Sequence, residues 1–138
     1  MENSCTPGIT DLKKVFEQVM IGVQEYSVIL LDPSGTILTW NKGVEKIKGY
    51  KANEIVGQHI SIFYLPEDRN QKLAEKLMEE ARLKGSAFHI GKRIRKNGSI
   101  FWGRIELTAI KSENGDLIGF TKMANPLSDT TGALNFGG

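Results

Sequence analysis

The chain has 138 residues, of which 40% are hydrophobic and 25% charged, and its formal net charge is +2. That length and balance suit one ordinary domain with a single core and exclude a globally disordered chain. So small a charge excludes a broad basic field for nucleic acid, and no apolar run approaches the ~20 residues that span a bilayer.

Cys5 is the only cysteine, so neither an internal disulfide nor a thiolate metal site can form. The N-terminus lacks the basic-then-apolar order of a signal peptide, and a reducing cytoplasmic setting is the expectation.

In chain order, Leu12, Val15, Phe16, Val19, Met20 and Val23 fall at helical spacing, with Thr10 or Asp11 available as a cap. This N-terminal stripe, within residues 1–25, must cover its own domain or a partner. "YSVILLD" reads as a strand, Asp32-Pro33-Ser34-Gly35 as a tight turn, and "TILTW" as the returning strand of a hairpin. After Asn41 the spacing shortens. Val44 and Ile47 suit one or two helical turns ended by Gly49, and "KANEIVG" repeats the pattern with Gly57 as the stop.

A longer helix is predicted over Glu67 to Leu83, with Leu73, Leu77, Met78 and Ala81 facing inward. Strands follow over Phe88 to Arg95, Ser99 to Lys111 and Leu117 to Ala124, divided by the turns Lys96-Asn97-Gly98 and "ENGD". Two strands, a helical insert and a three-strand meander describe an α+β domain with one five-stranded antiparallel sheet. The remaining residues 125–138 hold "GALNFGG", with no helical stripe, and read as a flexible tail.

The stretch "DPSGTILTWNKGVEKIKGYKANEIVGQHISIFYLPED", followed by "RIRKNGSIFWGRIELTAIKSENGDLIGFTKM", resembles a PAS sensory domain over residues 26–124. The resemblance rests on an ordered series: Trp40-Asn41, Gly49-Tyr50, Glu54-Ile55-Val56-Gly57, Asn97-Gly98-Ser99 with Phe101-Trp102, and Gly115. It implies a PAS-like (profilin-like) sheet with helices wrapped over one face. Asn41 would cap the first short helix, and Trp40 and Tyr50 would pack at that corner. It also implies a signal-input or dimerisation module, of the kind found in sensor histidine kinases of two-component systems, that does no chemistry itself. The residues contain no nucleophile–base motif, phosphate loop or metal-spaced cluster, so no enzyme is expected.

The same resemblance bears on cofactors. In the LOV pattern the adduct-forming cysteine falls three residues after the glycine matching Gly57. Ile60 stands there, and Ser61 stands where an arginine would hold the flavin phosphate, so LOV flavin chemistry is excluded. Haem of the oxygen-sensing PAS type needs an axial histidine on the long helix, and "EDRNQKLAEKLMEEARLKG" has none. Non-covalent FAD has no short motif to test and stays open.

Strand alternation divides "SIFWGRIELTAI" into two sets. By resemblance, Phe101, Gly103, Ile105, Leu107 and Ala109 face a pocket. Ile100, Trp102, Arg104, Glu106, Thr108 and Ile110 face outward. Turn parity then aims His89, Gly91 and Arg93 inward, and likewise Phe120, Lys122 and Ala124. The pocket is assigned to Ile60, Phe101, Gly103, Ile105, Leu107 and Phe120, with Arg93, Lys122 and His59 as polar members.

Long cationic side chains ordinarily reach for the rim or pair with local carboxylates such as Asp68 or Glu67, and that is the expectation here. The alternative is a small-anion site in which Arg93 supplies planar donors and Lys122 a point charge. A homodimer through the N-terminal helix and the apolar outer face around Trp102 and Ile110 is expected. No nucleic-acid or membrane partner is expected. Pro126 falls near where the family aspartate belongs at the end of the last strand, so output is expected to pass through the N-terminal helix or the sheet.

Overall fold

Five strands form one antiparallel sheet in the order β2-β1-β5-β4-β3. They are β1 (Ser27–Leu31), β2 (Ile37–Trp40), β3 (Ser86–Ile94), β4 (Ile100–Lys111) and β5 (Leu117–Pro126). The computed structural model describes residues 9–19 and 27–127. Helix α1 (Ile9–Val19) precedes the sheet. Between β2 and β3 lie α2 (Lys42–Lys48), α3 (Ala52–Ile55), a 3-10 turn (Ile60–Phe63), α4 (Pro66–Asn70) and α5 (Leu73–Lys84). Among the described residues no helix is long and apolar enough to cross a membrane.

The main core lies between the sheet and these helices, where Ile29, Leu31, Ile37, Val44, Ile55, Ile60, Phe63, Tyr64 and Phe120 are nearly solvent-free. Burying each large apolar side chain contributes about 1.5–3 kcal/mol. Strand β4 alternates as its sequence requires, with Phe101, Gly103, Ile105 and Leu107 buried and Trp102, Arg104, Glu106 and Thr108 exposed.

Strand β1 is buried on both faces because α1 covers its outer side. Phe16 packs on Val28 and Leu30, flanked by Leu12, Leu38 and Ile110. Glu17 also accepts a hydrogen bond from the Thr39 hydroxyl at 3.0 Å. The helical stripe is therefore divided. Leu12 and Phe16 serve the domain, whereas Val15 and Val19 remain 54% and 62% exposed. Met20 and Val23 lie outside the described residues.

The β1–β2 turn is tied by the Asp32 carboxylate, which accepts from the Ser34 and Thr36 amides at 2.9 Å. Gly35 has φ +93, and a Cβ there would meet His59 Nε2 at 2.8 Å and Met78 Sδ at 2.9 Å. Only glycine suits that crossing.

Four local expectations need correction. The long helix is two helices, because Lys72 adopts a left-handed conformation (φ 57) between α4 and α5, although no glycine marks the break. Strand β3 starts at Ser86 instead of Phe88. Strand β5 runs through Pro126, beyond the expected end at Ala124, and the Leu127 amide donates to the Trp102 carbonyl at 2.9 Å. The rest of the expected tail lies outside the described residues. Asn41 stands at the N-cap of α2 without capping it through its side chain.

Instead Asn41 extends the β1–β2 ladder. Its Oδ1 accepts from the Val28 amide at 2.8 Å while its own amide donates to the Val28 carbonyl at 3.0 Å. Asn41→Ala should therefore leave a buried amide unsatisfied and cost about 1–3 kcal/mol in urea unfolding. A loss under a few tenths of a kcal/mol would show that the side chain only fills space.

Candidate functional site

Helix α2 carries Val44, Ile47 and Lys48 on its inner side, all buried. It stops at Gly49, whose φ of 85 lets its amide donate to the Glu45 carbonyl at 3.0 Å. The stop leaves Lys48 on the last turn, pointing into the domain. The 3-10 turn ends in Phe63 and is followed by Tyr64, both 1% exposed or less. Arg93 lies on β3 opposite Phe101, and Lys122 on β5 between Ile29 and Leu107.

Three elements thus deliver three cations to two adjacent rings. Lys48 Nζ lies 3.9 Å from the Phe63 ring centre, and Lys122 Nζ lies 4.8 Å from Phe63 and 5.2 Å from Tyr64. The Arg93 guanidinium carbon lies 4.0 Å from the Tyr64 ring centre. Lys48 and Arg93 are 0% exposed and Lys122 1%. Among the described residues Lys48 Nζ, Lys122 Nζ and Arg93 Nε have no hydrogen-bond acceptor, and the two amines approach each other. Arg93 does donate through its terminal nitrogens, to the Lys92 carbonyl at 2.9 Å and towards His89 Nδ1 at 3.4 Å.

A cation over an aromatic face gains about 0.5–2 kcal/mol. Desolvating an ion costs several kcal/mol, so the rings do not offset the burial. Proton affinity responds accordingly. Burial pushes the Lys48 ammonium down to about 7, and the positive charge of Arg93 acts in the same direction. Burial holds Lys122 well below the usual lysine range, with Lys48 and Arg93 adding repulsion. Burial likewise lowers His89, helped by Arg93, and raises the Tyr64 hydroxyl, opposed by Arg93.

Of the residues assigned to a pocket from sequence, Ile60, Phe101, Ile105, Leu107, Phe120, Arg93 and Lys122 are all buried. Gly103 lies among them. A Cβ on it would meet Ile105 and Phe101 at 3.4 Å and Arg93 Cγ at 3.9 Å. His59 belongs elsewhere. Its Nδ1 accepts from the Ser61 amide at 3.1 Å, and its Nε2 lies 3.1 Å from the Ser34 carbonyl, so it joins the 3-10 turn to the β1–β2 turn.

The expectation that Arg93 and Lys122 reach the rim is wrong. Lys122 lies on the central strand β5 and Arg93 on the edge strand β3, yet both side chains are buried against the Phe63 and Tyr64 rings. Among the described residues no ion pair joins either cation to Asp68 or Glu67. Lys48 was missed, although its position four residues after Val44 places it on the same helix face. A groove of about 480 Å³ lined by Ile47, Lys48, Gly49, Arg95, Lys96 and Asn97 approaches this end of α2 from outside. A second groove, of about 440 Å³, lies on the outer sheet face among Phe88, Arg104, Glu106, Met123 and Asn125.

The interior does not fit a thiol-adduct flavin. Ile60, fully buried in the core, has no sulfur to offer. Phe63, Tyr64, Phe101, Leu107 and Phe120 are buried in the same interior.

Residues 25–123 match the family described as PAS domain. The chain is 35% identical over 118 residues to "Two-component system protein A" of Emericella nidulans, covering 86% of this chain and 17% of that protein. It is 27% identical over 85 residues to "Blue-light-activated histidine kinase" of Brucella anthropi, covering 62% and 17%. The chain therefore spans about a sixth of these relatives. Among solved structures, the PAS domain of a protein from Colwellia psychrerythraea superposes with a TM-score of 0.70 at 22% identity, covering 86% of this chain and 96% of that one.

The lysine shifts give a stability prediction. Lys48 titrates near 7 when folded and near 10.5 when unfolded, so the unfolded chain holds more protons between those values. The penalty is fully present below pH 7 and is relieved as pH rises. Without ligand, stability should climb between pH 7 and 10 by up to about 1.4 kcal/mol per pH unit for each such lysine. Lys48→Met should flatten the slope and raise stability at pH 7. Urea unfolding across that range checks both, and a flat wild-type profile would contradict the burial of the charge.

Proposed function

Because the chain belongs to the PAS domain family, we propose that it is the signal-sensing input module of a two-component system, admitting a small molecule to the interior around Phe63 and Tyr64 and regulating a histidine kinase or comparable effector. The observation that carries this reading is the interior polar cluster. A domain that served only as a packing unit would need no buried donors. Here Lys48 Nζ, Lys122 Nζ and Arg93 Nε all lack acceptors among the described residues. In these relatives the matched stretch is 17% of the protein, and this reading assigns the regulated activity to the remainder. In this reading the domain binds and relays, and does no chemistry of its own.

The sheet has a second surface for the relay. Helix α1 covers the β1–β2 half of the outer face. The β3–β4–β5 half exposes Phe88, Ile90, Ile100, Trp102 and Met123. Together with Val15 and Val19 of α1, these apolar side chains suit a second copy of the domain or the adjoining effector. Binding inside the sheet and docking outside it would then be linked through β4 and β5.

Native mass spectrometry of the protein purified from its own cells tests the sensory reading. A small-molecule adduct, retained in non-denaturing buffer and lost on denaturation, is the expected result. The bare chain mass in every preparation would favour an interaction module with a self-filled core. Visible flavin absorbance would instead point to non-covalent FAD. Sedimentation should show a concentration-dependent dimer weakened by Trp102→Ser, and a monomer at high concentration would leave the outer face to the effector.

A further inference from the structure

We propose that Lys48, Lys122 and Arg93 form a site for a small oxyanion carrying at least two negative charges, held between α2, β3 and β5 against the rings of Phe63 and Tyr64. The proposal rests on the sensory reading and names the chemical class of its ligand.

The convergence is built by the fold. The three side chains come from one helix and two strands that are not neighbours in the sheet, and among the described residues none is ion-paired to an acid. Asp68 and Glu75 act on Tyr64 only through space, from the helical side, and neither makes an ion pair with the cluster. His89 faces Arg93 from the same strand.

The cluster offers donors almost exclusively: two ammonium groups and the Nε–H of a guanidinium, all buried and unpartnered. A ligand that satisfies it must be rich in acceptors. A neutral acceptor would supply hydrogen bonds but no counter-charge for Arg93 or for the two lysines when protonated. An oxyanion supplies both, and charge-assisted bonds to it are the strong kind. Two or more negative charges are needed to match a cluster whose two lysines take up protons beside Arg93 as the anion binds.

The ligand must also be small. Each cation lies within 5.2 Å of one of two consecutive rings, and the surrounding core side chains are nearly solvent-free. A short dicarboxylate and a phosphate share this chemistry. The groove at Ile47, Gly49, Arg95, Lys96 and Asn97 gives such an anion a basic approach to the Lys48 end of the site.

The test is thermal unfolding of the full chain at ionic strength held constant with sodium chloride, with succinate, inorganic phosphate or the neutral analogue succinamide added. Succinate or phosphate should raise Tm saturably, and which one does so separates a carboxylate from a phosphate source. Succinamide should have no effect. Lys48→Met and Lys122→Met should each weaken the response roughly ten-fold or more, as loss of a buried charge contact does. Arg93→Lys keeps the charge but loses the planar fork, so it should weaken the response by less. That variant keeps the test intact if a methionine variant does not fold.

The proposal is overturned if neither anion exceeds the chloride control, if succinamide matches succinate, or if Lys48→Met responds like the wild type. A neutral molecule that co-purifies equally with wild type and Lys48→Met would overturn the anion site and leave the sensory reading standing.

Discussion

Three cationic side chains buried against two aromatic rings, with no acid paired to them among the described residues, constrain everything else about this domain. Cation–π contact stabilises such groups by about 0.5–2 kcal/mol, well short of the cost of removing them from water. The deficit is held by the surrounding fold. The antiparallel sheet fixes Lys122 through ladder bonds on both sides and Arg93 through its pairing with β4, and the Gly49 stop fixes Lys48. The ligand-free domain therefore stores destabilisation where an anion would relieve it. That is the thermodynamic condition for a binding event to change the population of states.

The two faces of the sheet divide the work. The inner face carries the buried cluster and the hydrophobic core. The outer face is half covered by α1 and half apolar and open. Strands β4 and β5 contribute alternate residues to both. Lys122 points in beside Met123 pointing out, and Gly103 lies beside Trp102. A shift of either strand at the cluster must move an outward side chain by a comparable amount, since packed interiors transmit displacement instead of absorbing it. The proposed link between ligand and partner needs no further device than this alternation.

Much of this was legible in the sequence. Asn97-Gly98 and "ENGD" marked the hairpins, and period-two alternation placed Phe101, Gly103, Ile105 and Leu107 inward together with Arg93 and Lys122. What failed was the inference from residue type to depth. Lysine and arginine ordinarily end in water, so an inward Arg93 read as a rim residue, and Lys48 was not singled out. The helical offset of Lys48 from Val44 carries the signal that would have found it. The break at Lys72 had no signal, because a non-glycine left-handed residue is imposed by tertiary packing. His59 was read as a pocket member from its place after Gly57. Its actual role needs Ser34 and Ser61, which only the folded turn brings to it.

The most direct test of the buried, uncompensated charge is an NMR titration of the lysine side chains, with Lys48→Met used to assign the resonance. Burial and the neighbouring Arg93 place one lysine, Lys48, at about 7, with Lys122 also well below the ordinary range. The account expects that depressed titration in the ligand-free protein and its loss in Lys48→Met. Every lysine titrating near the ordinary value of about 10.4 would contradict it.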